Sequence, residues 1–167
     1  MSPSQKDITQ FQKHIWSFYR RNKRDLLWRE TENPYHILLS EIMLQQTQVA
    51  RVERKYTEFL ATFPDFNMLA NAPQSDVVKV WQGMGYNRRA IALHKIARTV
   101  VKEYRGNLPR DPETLVQFPG IGRATAASIS VFAWNIPTVF VETNIRRVMI
   151  HHFFERARKV NEDDILE

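Results

Sequence analysis

The chain has 167 residues, enough for one domain or two small lobes with a hydrophobic core. Its 24 Lys and Arg against 18 Asp and Glu give a formal net charge of +6, which favours a polyanionic partner, with nucleic acid ahead of an anionic membrane surface. The absence of cysteine excludes disulfides, zinc sites with thiolate ligands and iron–sulfur clusters held by cysteine.

The N-terminal segment has no apolar core of the signal-peptide type. The least polar stretch, residues 124–134, is too short to cross a bilayer and contains Thr and Ser. We therefore expect a soluble protein of the cytoplasm with no membrane partner.

Apolar residues recur at helical spacing along nearly the whole chain, and no segment alternates convincingly at period two. This pattern predicts an all-α fold. A first helix ends near residues 20–25, and residues 26–35 read as a loop. The apolar face of the first helix is formed by Phe11, Ile15, Phe18 and Tyr19. A second helix is expected from about Tyr35 to Phe63.

Residues 69–109 predict two further helices separated by a glycine turn. The first is short and begins at Ser75, and the turn is Gly83-Met84-Gly85. The second is longer and amphipathic, and it ends at Gly106. Its buried side is expected to consist of Leu93, Ile96, Ala97 and Val100. A short helix follows, with Asp111 as N-cap and Pro112 in its first position.

The stretch "FPGIGRATAAS", Phe118 to Ser128, joins that short helix to the next one. Pro119 stops the first helix, and Gly120 and Gly122 leave the backbone N–H groups bare where the second helix begins. Such N–H groups bind an anion such as phosphate, and Arg123 lies beside them. An ordinary hairpin of two helices would have the same spacing, so the spacing alone leaves both interpretations open.

The stretch "IPTVFVETNIRRVMIHHFF", residues 136–154, begins with a β-like run and continues as a helix capped at Thr143 or Asn144. We expect this helix to bury Ile145, Val148, Met149 and His152 or Phe153. The charged residues 155–167 follow and predict no clear closing helix. The apolar face of the first helix is then expected to lack a partner, as in a truncated chain.

The motif Phe118–Ser128 resembles the helix-hairpin-helix of the endonuclease III and MutY superfamily of DNA glycosylases, also called HhH-GPD. Four more segments resemble MutY segments in order and spacing: Trp28–Val49, Phe63–Pro73, Val80–Ala97 and Val139–Val148. The resemblance implies a two-lobed helical fold with a DNA-binding cleft, into which a base is flipped. We expect residues 1–28 plus 136–167 to form one lobe and residues 29–135 the other, with the hairpin at about 113–128.

Removal of a purine from deoxyribose needs a proton for the leaving base and a negative charge near the oxocarbenium-like sugar. Glu41 lies in the apolar stretch "LLSEIML", where burial favours the uncharged acid. A solvent-exposed or arginine-paired glutamate is the alternative. By resemblance, Glu41 matches the MutY glutamate that protonates adenine. Glu142 precedes a helix whose dipole favours a negative charge, and Asn144 matches a MutY asparagine that assists this carboxylate and the attacking water.

Two positions depart from the family pattern in ways that affect catalysis. MutY and endonuclease III carry aspartate where this chain has Glu142, and the extra methylene moves the carboxylate by about 1.5 Å. The site is therefore either retuned or silent. Relatives that also cleave the strand carry a lysine where this chain has Ala124, and alanine forms no Schiff base. We therefore expect base removal by water alone.

Several further residues are expected to contact DNA by resemblance or by charge. The motif "LQQT" resembles the MutY element that enters the duplex near the displaced base. Asn87 replaces the second of two MutY tyrosines, which leaves recognition of 8-oxoguanine in question. The expected DNA-binding residues are Gln45, Gln46, Thr47, Tyr86, Asn87, Arg88, Gly120, Gly122, Arg123 and Thr125. Other candidate phosphate contacts are Arg89, Lys95, Arg98, Arg146 and Arg147.

The favoured hypothesis is a monofunctional, monomeric MutY-like glycosylase that acts on double-stranded DNA carrying a mismatch or lesion, in association with the nucleoid. Its expected target is adenine opposite 8-oxoguanine or guanine. A thymine or uracil mismatch glycosylase of the same fold and a non-catalytic DNA-binding module are the alternatives. We expect no cofactor: the five histidines show no metal-ligand spacing, and the iron–sulfur loop common in the family needs cysteines. A monovalent cation at the hairpin is compatible with the resemblance.

Overall fold

The computed structural model describes residues 4–154, 160–161 and 163–166. Over these residues the regular structure is helical and contains no strand, so the predicted all-α class is confirmed. The α-helices are α1 (Gln5–Asn22), α2 (Pro34–Leu44), α3 (Val49–Thr62), α4 (Phe66–Asn71), α5 (Gln74–Val80), α6 (Arg88–Tyr104), α7 (Pro112–Leu115), α8 (Arg123–Trp134), α9 (Thr143–Phe153) and α10 (Asp163–Leu166). Within the described ranges, none is long and apolar enough to span a membrane.

The chain divides into two compact units. The larger unit is Leu26–Phe140, and the smaller one combines Met1–Asp25 with Val141–Glu167. The functional lobes expected from the sequence stay a prediction.

The core of the larger unit is built around α2 and α6. Helix α2 packs against α3, α6 and α8, and α6 also packs against α4 and α5. The predicted buried face of α6 is confirmed, because Leu93, Ile96, Ala97 and Val100 are all fully buried. Two tryptophans, Trp28 and Trp81, fill the core together with α2 side chains such as Ile37 and Leu38.

The predicted second helix is not continuous. The structure divides it into α2 and α3, with a break at residues 45–48. At this break Gln46 has a φ of +54°, in the left-handed region, which cannot continue a right-handed helix. The periodic apolar pattern continues across the break because both helices bury one face in the same core. The pattern alone therefore predicted a single helix.

The end of α6 and the start of α7 follow the predicted signals, whereas α5 begins at Gln74, one residue before the predicted Ser75. Helix α6 ends with Arg105 and Gly106 in the left-handed region, and the amide of Gly106 donates to the carbonyl of Val100 at 3.0 Å. The carboxylate of Asp111 accepts hydrogen bonds from the Thr114 hydroxyl and from the amides of Glu113 and Thr114, as expected of the N-cap. These bonds, with that from the hydroxyl foremost, lower the pKa of Asp111 below its usual value.

The smaller unit contains α1 and α9, which meet through aromatic rings. Phe11 of α1 packs edge-on against His152 and Phe153, with ring centroids 5.0 and 4.9 Å apart. The rest of the apolar face of α1 is exposed, as expected, including Ile15, Phe18 and Tyr19; Trp16 is exposed as well.

The β-like run at residues 136–142 lies in neither a helix nor a strand. Two expectations for the end of the chain were wrong. Glu142, rather than Thr143 or Asn144, is the N-cap of α9. Helix α9 has no buried residue: Ile145 and Val148 are exposed, His152 is exposed, and Met149 and Phe153 are only partly buried.

Truncation of the α6 core face tests this packing. We expect Ile96→Ala to lower the free energy of unfolding by about 2–5 kcal/mol, because it removes buried methyl groups and leaves a cavity. Lys95→Ala, at the neighbouring exposed position, should change it by less than about 0.5 kcal/mol. Urea denaturation measures both values, and similar losses for the two variants would contradict the packing of α6.

Candidate functional site

Glu41 lies on α2 and is paired with an arginine. Both terminal nitrogens of Arg29, Nη1 and Nη2, lie 3.1 Å from Oε1 of the Glu41 carboxylate. The Glu41 side chain is only 12% exposed, whereas that of Arg29 is 33% exposed, so the carboxylate is the better shielded partner. Its burial agrees with the sequence, but its surroundings are not purely apolar. Of the two environments weighed for Glu41, pairing with an arginine is the one observed.

Arg29 also connects Glu41 to α8. It ends a short 3₁₀ turn, Leu27–Arg29, and its guanidinium carbon lies 3.6 Å from the ring centre of Phe132. This is a close cation–π contact, in which the ring holds the plane of the guanidinium. The direction of the Glu41 carboxylate therefore depends on α8 as well as on α2. Arg29 was missed in the sequence because it lies in a loop without helical periodicity.

The break between α2 and α3 contacts the hairpin before α8. The side-chain amide of Gln45 donates from Nε2 to the carbonyl of Gly120 at 3.0 Å. Gln45 is partly buried, whereas Gln46 is exposed. The amide group of Gln45 is thus engaged within the protein, and Gln46 is the glutamine that faces solvent. The expectation that both contact DNA stays a prediction.

Gln46 and Tyr86 share an unusual backbone conformation. Their φ angles are +54° and +47°, and Tyr86 is 57% exposed. Non-glycine residues in the left-handed region are strained, and such strain often accompanies functional sites. Asn87 and Arg88 are also exposed, and the Arg88 guanidinium lies 5.7 Å from the Tyr86 ring centre. The exposed side chains of this turn belong to residues 86–88.

Arg89 was expected to contact a phosphate, and the structure contradicts this. Its exposed fraction is 6%, and its guanidinium donates to carbonyl groups at the end of α2 and in the glycine turn. A signal for this burial exists in the sequence. Arg89 precedes Leu93, Ile96 and Val100 at intervals of 4, 7 and 11 residues, which places it on the apolar face of α6.

The hairpin has the geometry that anion binding by a helix N-terminus requires. Gly120 has a φ of +80°, and Gly122 is the N-cap of α8 with no side chain over the first amides. A Cβ built on Gly122 would meet nothing within 4 Å, so the approach to these amides is open. Arg123 is exposed beside them, and Ala124 and Thr125 are partly buried. Backbone N–H groups and a nearby cation are suited to a phosphate.

The remaining candidate cations are mostly on the surface. The exposed ones are Arg88, Lys95, Arg98, Arg123 and Arg147. Arg146 differs, since it is partly buried and its Nη2 donates to the carbonyl of Val160. Arg146, like Arg89, therefore donates to a backbone carbonyl of the protein.

Glu142 and Asn144 belong to the smaller unit. Both are exposed, and the backbone carbonyl of Glu142 accepts a hydrogen bond from the Arg146 amide at 2.8 Å, which opens α9. The Glu142 side chain makes no capping hydrogen bond to α9. Its carboxylate is thus accessible, at a helix end where a negative charge is favoured.

Some of the side chains with shifted pKa values lie in or beside the core. Burial raises the pKa of Tyr35, whose hydroxyl donates to the carbonyl of Phe63, and raises that of Tyr56 to about 12. Burial also lowers the pKa of His36. No group of three His, Cys, Asp or Glu side chains in the described ranges is arranged to hold a metal ion. The pKa shifts of Tyr35, Tyr56 and His36 thus reflect burial of their side chains.

Comparison with known proteins gives a family match. Residues 39–165 match the family described as "HhH-GPD superfamily base excision DNA repair protein". Adenine DNA glycosylase of Rattus norvegicus is 40% identical over an alignment of 152 residues, which covers 86% of this chain and 30% of that protein. Adenine DNA glycosylase of Mycobacterium tuberculosis is 38% identical over 145 residues, 86% of this chain and 48% of that protein. The chain thus spans less than half the length of these curated relatives.

A solved structure of a thermostable thymine-DNA glycosylase is also similar. It has a TM-score of 0.81 and 32% identity, over 86% of this chain and 67% of that chain. The helix-hairpin-helix glycosylase fold expected from the sequence is therefore confirmed.

The two glycines of the hairpin form a matched pair for testing its geometry. We expect Gly120→Ala to lower the free energy of unfolding by about 1–2 kcal/mol, because its φ of +80° is unfavourable for a residue with a Cβ. Gly122→Ala should have a much smaller effect, since its φ of −91° is accessible to alanine and the space beside it is open. Urea denaturation compares them, and a greater loss for Gly122→Ala would contradict the described turn.

Proposed function

The chain belongs to the HhH-GPD superfamily of base excision DNA repair proteins, and we propose that it is a DNA glycosylase that removes adenine opposite 8-oxoguanine or guanine. The observation that carries the proposal is the shielded Glu41 carboxylate, oriented by Arg29 one helical turn before the link to the hairpin. Identities of 38–40% to proteins named adenine DNA glycosylase support the choice of base.

In the proposed reaction, Glu41 donates a proton to adenine as the bond between adenine and C1′ of the deoxyribose breaks. The electron pair of that bond leaves with the base, and the sugar becomes oxocarbenium-like. Glu142, assisted by Asn144, stabilises the positive charge. Water then adds to C1′ and loses a proton, and the product is an abasic site.

The Arg29 contact places a condition on this reaction. A guanidinium beside a carboxylate stabilises the ionised form through charge-assisted hydrogen bonds. Both Arg29 nitrogens contact Oε1 of Glu41, and in the proposed reaction Glu41 carries its proton when the flipped base enters. Arg29 then also holds the carboxylate in place until the base arrives.

The proposed partner is double-stranded DNA with a mispaired or damaged base. The amides at the start of α8 and the side chain of Arg123 would contact one phosphate group, while Gln46 and Tyr86 would meet the displaced base pair. Exposure of these groups supports this arrangement. The monomeric state and a monovalent cation at the hairpin remain predictions.

A thymine mismatch glycosylase is the second candidate. The similar solved structure of a thymine-DNA glycosylase favours it, with 32% identity, as does Asn87 in place of the second MutY tyrosine. In either reaction Ala124 predicts that the enzyme leaves the DNA strand intact. A DNA-binding module without catalysis is the third candidate, and it has no need for the oriented Glu41.

A single-turnover assay on four labelled duplexes tests the proposal. The duplexes carry A opposite 8-oxoguanine, A opposite G, T opposite G and U opposite G, each with and without hot alkali. We expect alkali-dependent breaks on the two adenine duplexes. Glu41→Gln and Glu142→Gln should each slow base release by about 10²-fold or more, because each removes a carboxylate used in the reaction. Glu103→Gln, at an exposed position of α6, is the control with unchanged rate.

The other outcomes separate the candidates. Cleavage of the duplex with T opposite G, without cleavage of the adenine duplexes, would favour a thymine mismatch glycosylase over an adenine glycosylase. Breaks without alkali would contradict the role given to Ala124. Equal binding of all four duplexes without base release would leave the DNA-binding module.

A further inference from the structure

Arg89 makes an exceptional number of contacts for a buried charge. Its two terminal nitrogens donate to six acceptors on two segments of the chain that are more than 35 residues apart. Nη1 faces the carbonyls of Ile42, Met43 and Gln45, while Nη2 faces the Thr47 hydroxyl and the carbonyls of Met84 and Gly85. Neither segment belongs to the helix that carries Arg89.

The Gly85 carbonyl also accepts from Trp81 Nε1 and the Gln45 carbonyl from the Thr47 hydroxyl, whereas the Ile42 and Met43 carbonyls accept their side-chain hydrogen bonds from Arg89. The carbonyls at the end of α2 lack partners within the helix, because the chain leaves the helix at Gln45. Carbonyls of a glycine turn likewise point away from regular structure. A guanidinium has four N–H bonds on its terminal nitrogens in a planar fork, so it reaches both groups at once. Burial lowers the pKa of Arg89, but an arginine keeps its charge at neutral pH.

An exposed residue in the left-handed region lies within or next to each segment. Gln46 lies between the acceptors Gln45 and Thr47, and Tyr86 directly follows the acceptor Gly85. The contacts of Arg89 thus hold both neighbours of Gln46 and the residue before Tyr86. Gln45 also contacts Gly120 of the hairpin, so the same segment is fixed on a second side.

We propose that Arg89 is a positioning residue for mispair recognition, which locks residues 45–47 and 84–86 into one rigid element so that Gln46 and Tyr86 enter the DNA together. The proposal rests on the proposed function, in which these two side chains meet the displaced base pair. Arg89 itself contacts neither the DNA nor the reacting atoms.

Arg89→Lys and Arg88→Lys form a matched pair of variants one residue apart on α6. Lysine keeps the charge at both positions, but its ammonium has three N–H donors on one atom and cannot span six acceptors on two segments. Arg88 is exposed and makes none of these contacts, so its variant controls for the chemical change in the exchange measurement.

Amide hydrogen exchange gives the first measurement. The Thr47 amide is bonded to the Leu44 carbonyl and the Met84 amide to the Trp81 carbonyl, so each reports on one of the two segments. We expect Arg89→Lys to speed exchange at both amides by about tenfold or more, because charge-assisted hydrogen bonds are lost on both sides. Arg88→Lys should leave both unchanged. Loosening of only one segment, or of neither, would overturn the proposed coupling.

Duplex binding gives the second measurement. The affinity for a duplex with A opposite 8-oxoguanine, divided by that for the fully paired duplex, measures mispair recognition. Arg89→Lys should lower this ratio about tenfold or more, because Gln46 and Tyr86 no longer act together. A role in fold stability alone would lower the melting temperature and leave the ratio of the folded protein unchanged, which would overturn the proposal.

Thr47→Val keeps the proposal testable if Arg89→Lys does not fold. It removes the Thr47 hydroxyl, which accepts from Arg89 and donates to the Gln45 carbonyl, and keeps the side-chain shape. We expect faster exchange at Met84, which Thr47 reaches through Arg89, and unchanged exchange at Met84 would contradict the coupling. Failure of the proposed function is recognised separately, in the unsubstituted protein, as equal affinity for both duplexes and no base release.

Discussion

The carbonyl groups at the end of α2 have lost their helical partners, and the guanidinium of Arg89 satisfies them from another helix. Much of the larger unit depends on this interaction, because α2 must stop where it does for the chain to turn toward the hairpin. Glu41 lies one turn before that end, and Gln45 lies directly after it. A longer α2 would redirect Gln45 away from Gly120 and bury or displace Gln46. The charge inside the core thus determines where the surface segments begin.

Helix α8 joins the two parts of the candidate site. Its first turn presents bare amides beside Arg123, and near its other end Phe132 supports the guanidinium that orients Glu41. Helix α8 therefore helps to position both the proposed phosphate contact and the Glu41 carboxylate. This arrangement suits a reaction in which a base must arrive in a defined position, because small errors in the distance between reacting groups slow catalysis strongly.

Local signals predicted much of the fold, and contacts between distant residues account for most of what they missed. Period, caps and glycines were sufficient for the buried face of α6, the Asp111 cap and the hairpin. The break after Leu44 was missed because the apolar pattern continues across it, and Arg89, which donates to the carbonyls freed there, lies more than 40 residues away in sequence. Arg29 was missed for a similar reason, since its partners Glu41 and Phe132 lie on two separate helices. The sequence of α9 predicted a buried face because amphipathic spacing does not reveal whether a partner surface is present.

The left-handed conformation of Gln46 and Tyr86 also bears on how the protein tolerates change. Each backbone there is less favourable than an ordinary one by about 1–2 kcal/mol, a difference that glycine would remove. Glycine at either position would leave the core untouched and relieve strain at the surface. A screen for heat resistance would therefore enrich glycine at these two positions, and the sturdier proteins it selected would have lost the side chains that face the solvent there.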